Sequence, residues 1–245
     1  MRRLPLFVTA LAAATLLVPG AQAPARAGTE CNGLLVCIPV AGPWVKIPPQ
    51  TGNRRLPTYY RQSCPSDSVI GGLDAEVTRR SVDVSFAGAL GGPVSPGVTT
   101  RTAAVFAATE TGRLALPTAF RPLLGCIPGG GGGRGRTLRP STRSLTSIAV
   151  EPGQPTVLRV RSFRVRAGQA TTASHGCRLD ERLISSSHAI AFHLRRAPTV
   201  RELSQVESRT IVMGRRVRVT ARGGRVVARL RVRVQVLALC ARPNP

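Results

Sequence analysis

The sequence predicts an all-β protein: two tandem, disulfide-linked antiparallel β-sandwich or barrel domains related by an internal repeat. Three observations carry the prediction. Apolar and polar residues alternate with period two along short runs rich in Val, Ile, Thr and Phe. Those runs are punctuated by 25 Gly and 20 Pro, and no window beyond the leader holds a 3.6-residue apolar stripe. Four of the six cysteines fall into two nearly equal long spacings.

The elements follow in chain order. Residues 1–27 read as an export signal: Arg2 and Arg3 form a basic start, Leu4 to Val18 is apolar, and Ala25-Arg26-Ala27 is a small-x-small cleavage site. Ala21-Gln22-Ala23 offers a second cut. Pro19 and Gly20 end the apolar run short of the ~20 residues a membrane span needs, and every later apolar run is short or broken by Arg. The mature chain is therefore expected to be secreted or attached to the cell surface, without a transmembrane segment. Residues 28–127 form a first β domain with strand patterns at Val77 to Phe86 and Val98 to Ala108. Residues 128–140, opening on Pro128-Gly129-Gly130-Gly131-Gly132-Gly133-Arg134, read as a flexible Gly/Arg-rich linker. A phosphate-cradling loop is not expected there, because no Lys-Ser or Lys-Thr follows and no helix pattern opens after it. Residues 141–245 form a second, strongly basic β domain, with strand patterns at Val157 to Arg166 and Arg182 to His193.

Cys31, Cys37, Cys64, Cys126, Cys177 and Cys240 all lie in the mature chain, an even number that in an exported protein favours disulfides. Cys64 and Cys126 stand 62 positions apart, Cys177 and Cys240 63 apart. The segment from Cys64 to Gly72 parallels that from Cys177 to Ser186, with one inserted residue. Upstream, Ile38-Pro39-Val40 and Trp44-Val45-Lys46-Ile47 parallel Ile148-Ala149-Val150 and Val157-Leu158-Arg159-Val160. Spacing alone cannot choose a pairing; the repeat selects Cys64–Cys126 and Cys177–Cys240 as equivalent bridges and leaves Cys31–Cys37 as a local clip. Each long bridge closes a loop of about 60 residues, worth about 4 kcal/mol by chain entropy. An immunoglobulin domain is a poor fit, since Trp44 precedes its cysteine pair and only five residues follow Cys240. Through Cys64-Pro65-Ser66-Asp67-Ser68-Val69-Ile70-Gly71-Gly72 the chain resembles secreted, Arg-rich β-proteins of high-GC actinobacteria. That resemblance implies secretion and a β-fold and brings no assigned activity.

Charge is lopsided. From Gly28 to Gly133, 9 Lys and Arg stand against 6 Asp and Glu; from Arg134 onward 23 stand against 5. Codon bias explains Arg in place of Lys, but one genome encodes both halves, so it does not explain the asymmetry. The clearest local signal is Arg215 to Arg222, then Gly223-Gly224, then Arg225 to Val234, which predicts a β-hairpin. Its register sets Val217 opposite Leu230 and Val219 opposite Ala228 on a buried face. On the other face Arg222 meets Arg225, Arg218 meets Arg229 and Arg216 meets Arg231. Like charges opposed across strands destabilise a sheet, so this face is expected to bind anions. Arg233 continues it, and Arg159, Arg161, Arg164 and Arg166 extend it from an earlier strand with a bulge near Ser162. Candidate partners are anionic cell-wall polymer, acidic polysaccharide, extracellular nucleic acid or anionic lipid headgroups. Sequence-specific nucleic-acid binding is not expected, because Phe163 and Phe192 sit in core-like phase and leave no stacking platform.

No catalytic, cofactor or metal motif emerges. His175, His188 and His193 are close in sequence, but His188 and His193 point to opposite faces of a strand. Ser185-Ser186-Ser187-His188 lacks a nucleophile elbow. Asp74 and Glu76 share a strand face, where an acid–base or calcium pair is conceivable but unsupported by a ligand loop. Trp44, Tyr59 and Tyr60 make a conceivable carbohydrate platform in the first domain, more readily read as buried or edge rings. The expectation is an exported, non-enzymatic protein that binds anionic polymers without a cofactor. The alternatives are a structural or protein-binding module and, more remotely, a secreted hydrolase.

Overall fold

Alternating β-branched and aromatic residues build strands throughout the computed structural model, which describes residues 29–50, 55–87, 93–95, 98–99, 102–112, 116–128 and 156–241. The expected leader and the linker after Pro128 lie outside the described residues. The first half contributes β1 (Ile38–Ala41), β2 (Trp44–Ile47), β3 (Thr58–Ser63), β4 (Ser68–Val77), β5 (Val82–Ala87), β6 (Pro93–Ser95), β7 (Val98–Thr99), β8 (Ala103–Glu110) and β9 (Thr118–Pro128). The second contributes β10 (Thr156–Arg164), β11 (Ala170–Gly176), β12 (Arg182–Phe192), β13 (Val206–Met213), β14 (Arg216–Gly223) and β15 (Val232–Ala241). Among the described residues one short α-helix, α1 (Val200–Ser204), opens on a capping box between Thr199 and Glu202.

One seven-stranded sheet runs through both halves in the order β1-β9-β2-β12-β15-β10, with β4 on the other edge of β9. The halves join where Val45 and Trp44 of β2 pair with Ala191 and Phe192 of β12. A three-stranded sheet β3-β8-β5 and another, β11-β14-β13, complete the layers. Because successive side chains point to opposite faces, the long sheet feeds two cores. Val45, Ile47, Phe120, Ala189 and Ala191 pack with Tyr60, Phe106 and Ala108. Trp44, Ile190, Phe192, Val232, Val234 and Val236 pack with Val206, Val217, Val219 and Ala221. The two small sheets thus cover opposite faces of the long one.

All three expected disulfides form: Cys31–Cys37, Cys64–Cys126 and Cys177–Cys240. The long ones tie each small sheet to the large one. Strand pairing in the halves runs alike: β8 lies between β3 and β5 as β14 lies between β11 and β13, and β4 pairs β9 as β12 pairs β15. Register slips occur after Ile70, opposite Cys126, and after Leu183, opposite Cys240. Gly72 in the Cys-Pro segment has its own reason. A Cβ there, or on Gly125, would collide with the Glu30 carbonyl oxygen, where the clipped N-terminal turn crosses the sheet.

Two local expectations are corrected. β14 and β15 do not form a hairpin. A 3-10 turn, Arg225–Arg229, carries the chain from the small sheet to the large one, and the valines of the two strands face each other across the core. Neither Gly223 nor Gly224 adopts positive φ, which the tight hairpin turns require. Stacked Arg pairs are thereby avoided: β13 sets Met213, Ile211 and Glu207 opposite Arg216, Arg218 and Arg222. The hairpin present is β13–β14, turning through Gly214 (φ +55°) and Arg215. Nor is there a bulge at Ser162, because β10 keeps unbroken register with β15 from Thr156 to Arg164.

Candidate functional site

Alternation along β14 turns Arg216, Arg218, Thr220 and Arg222 outward while Val217, Val219 and Ala221 are fully buried. Arg209 of β13, opposite Thr220, joins the same outer face. β11 adds Thr172 and Ser174, and Glu207, opposite Arg222, is the acidic residue of the face. This exposed, arginine-rich sheet face retains three members of the expected set.

The other arginines point elsewhere. Along β10, Arg159 and Arg161 share one side of the sheet and Arg164 the other. Arg159 is engaged: its guanidinium donates to both carboxylate oxygens of Glu181 at 2.8 and 2.5 Å. That contact, with the Arg178 backbone N–H, holds the Glu181 carboxyl down to about 2. Arg161 donates to the Ser174 carbonyl at 3.0 Å. Arg164 and Arg166 line an open cleft of about 700 Å³ with Gln169, Thr171, Thr172 and Val227. Arg225 and Arg229 are exposed on the 3-10 turn beside it. Arg164 is also the register partner of Arg233, a true like-charge pair across strands.

Arg231 and Arg233 turn toward the junction of the halves. A cleft of about 370 Å³ opens there, lined by Gly42, Tyr60, Gln62, Arg121, His193 and Arg195. Burial, then Arg233 and Arg231, lowers the His193 proton affinity. Burial pushes the Tyr60 hydroxyl up to about 12, against the pull of Arg233. Arg121 lies 3.5 Å from Glu76, donates to the Gly42 carbonyl at 3.0 Å and sits over the Trp44 ring. The expected single basic face is thus an outer sheet face, an end cleft and a junction cleft, because the two strands of the supposed hairpin belong to different sheets.

The residues weighed for catalysis or metal binding disperse. His188 lies between the sheets, with Nε2 2.6 Å from Ser208 Oγ and Nδ1 2.9 Å from Thr210 Oγ1. Burial lowers its proton affinity. Sequence reading missed this contact because Ser208 arrives from β13; its alternation with Thr210 opposite a strand-borne His was the available signal. The imidazole thus bridges β12 to β13 through two hydroxyls. His175 and His193 lie apart from it, on β11 and in the junction cleft. Asp74 accepts from the Thr29 N–H at 2.8 Å and hydroxyl at 2.6 Å, anchoring the N-terminal turn. Glu76 faces Arg121, so Asp74 and Glu76 form no acid–base pair. Trp44 and Tyr60 are buried in separate cores and build no shared platform with Tyr59. Cys177, Cys240 and Glu181 converge within 4.8 Å, but both sulfurs are consumed in a disulfide and the carboxylate is held by Arg159. No helix among the described residues is long and apolar enough to cross a membrane. No protein-family model, curated protein or solved structure matches the chain.

Proposed function

We propose that this is an exported, non-enzymatic binding protein whose basic second half engages anionic polymers: cell-wall polymer, acidic polysaccharide or nucleic acid. The observation that carries the reading is how few ion pairs these arginines make among the described residues. Of the eleven arginines singled out from the sequence, Arg159 alone forms an ion pair among the described residues. Exposed guanidiniums without carboxylates are free to make bidentate contacts to phosphate, sulfate or carboxylate groups. Three disulfides fit an oxidising, extracytoplasmic setting. The reading includes descent of the two halves from one unit, supported by their like strand pairing and their matching register slips beside the long disulfides. In that view the second copy alone acquired the charge.

The test is retention of the full chain on heparin and phosphocellulose across a salt gradient. Strong retention at low ionic strength, lost steeply as salt rises, is expected. The triple variant R216Q/R218Q/R222Q should elute earlier and flatten the salt slope by roughly one unit per contact removed. Passage of the native protein through both columns at low salt would refute the proposal.

A further inference from the structure

The β13–β14 hairpin ends in an apolar tip that the fold leaves uncovered. Ile211, Val212 and Met213 are 44, 58 and 38% exposed, although β13 is otherwise alternating and Val206 at its start is fully buried. Val212 is in the inward phase, and its register partner Val217 is fully buried. Its own side chain nonetheless overhangs the rim, because β13 is the edge strand. The Cys177 N–H donates to the Arg215 carbonyl at 3.0 Å, which brings the turn carrying Leu179, 82% exposed, beside this tip. Four exposed large apolar residues therefore lie at this end of the second half, Ile211 and Met213 in the outward phase of the sheet and Val212 in the inward one. An exposed apolar cluster of this kind marks a surface that meets something else.

The surroundings specify what. Arg216 stands opposite Met213 and Arg218 opposite Ile211, Arg209 precedes Ile211 on the same face, Arg215 forms the turn, and Arg178 adjoins Leu179. Asp180 is the exposed acid beside them, while Glu181 is held by Arg159. Apolar side chains at the hairpin end, with guanidiniums beside them on the turn and on the paired strand, match the mixed apolar and anionic chemistry of an anionic bilayer interface. Another exposed apolar stretch, Leu35, Val36 and Ile38 in the first half, has no arginine in the segment and lacks this pairing.

We propose that the tip formed by Leu179, Ile211, Val212 and Met213 inserts into the interface of an anionic lipid surface while Arg215, Arg216 and Arg218 hold headgroup phosphates. This deepens the polyanion reading through the shared Arg216 and Arg218, by naming a lipid surface as the anion's source.

Co-sedimentation of the full chain with vesicles tests it. Binding is expected to phosphatidylcholine vesicles containing phosphatidylglycerol and not to phosphatidylcholine alone. The variant V212S/M213S should bind the anionic vesicles about tenfold or more weakly, keep its thermal midpoint and elute from heparin at the native salt concentration. R216Q/R218Q should weaken both vesicle and heparin binding. A native protein that ignores anionic vesicles, or a V212S/M213S variant that binds them as the native does, overturns the proposal. Concentration-dependent self-association abolished by V212S/M213S, without vesicle binding, would assign the tip to a second copy and equally overturn it. Heparin retention without vesicle binding leaves the polymer reading standing while this one fails; the converse leaves the lipid tip and removes the polymer.

Discussion

Gln235 is buried between Val234 and Val236 of β15, and its amide takes the place of a missing neighbouring strand. Its side-chain oxygen accepts from the Arg61 N–H at 2.7 Å, and its nitrogen donates to the Arg61 carbonyl at 3.0 Å. One side chain thus pairs the free edge of β3. Gln235→Leu should lower stability by about 1–3 kcal/mol by stranding these groups, read as a shift in urea midpoint; an unchanged midpoint would remove the role. The histidines make a second prediction at this scale. His175, His188 and His193 all titrate below the ordinary 6.5 because burial resists their charging. The unfolded chain binds protons below that pH which the fold refuses, so stability present above pH 6.5 is lost as pH falls toward the folded values. Glu181 and Glu202, held at about 2 by Arg159 and Arg196 against an ordinary 4.5, add a further loss between those values. Urea midpoints against pH should fall in these two windows, and His188→Gln should shallow the first. A slope unchanged in that variant would show that His188 contributes nothing to it.

At the scale of elements, the disulfides and the strand existence were legible, while the partner of β14 was not. Cysteine spacing and parallel flanking motifs pointed to Cys64–Cys126 and Cys177–Cys240 because two nearly equal spacings with like flanks mark equivalent bridges. Two alternating Arg/Val strands flanking Gly-Gly admit two solutions, side-by-side pairing or face-to-face packing. Both bury the same valines, so the local pattern is silent between them. Charge decides against the first: pairing would have stacked Arg216, Arg218 and Arg222 against other arginines, whereas β13 offers them Met213, Ile211 and Glu207. The site suffered with the hairpin, since its arginines were assigned to one face and occupy several. Loss of the Cys177–Cys240 link in C177S/C240S should cost about 4 kcal/mol, measured as the change in unfolding free energy. A cost near zero would mean that the strands alone hold the sheets together.

The whole molecule is joined by a sheet, not merely by a chain. β2 of the first half pairs with β12 of the second, Lys46 donates to the Val206 carbonyl at 2.8 Å, and Trp44 packs in the core of the second half. Burial, opposed by Glu207, lowers the Lys46 proton affinity. Unfolding of the full chain should therefore be one cooperative transition, with Trp44 fluorescence and far-UV circular dichroism coinciding. Separate midpoints would mean that the halves unfold independently despite the shared sheet. The amino-acid sequence by itself determined that the chain is all-β, where many of its strands run, which cysteines pair and that the second half carries the charge. Period-two alternation, cysteine pairing and composition are properties of neighbouring residues or of simple counting. Only the tertiary structure decided which strand lies beside which, and hence that the arginines part onto different faces and that Ile211, Val212 and Met213 reach past the core. Those outcomes depend on contacts between residues far apart in the chain, where one pattern of side chains suits several arrangements and packing of the whole selects among them.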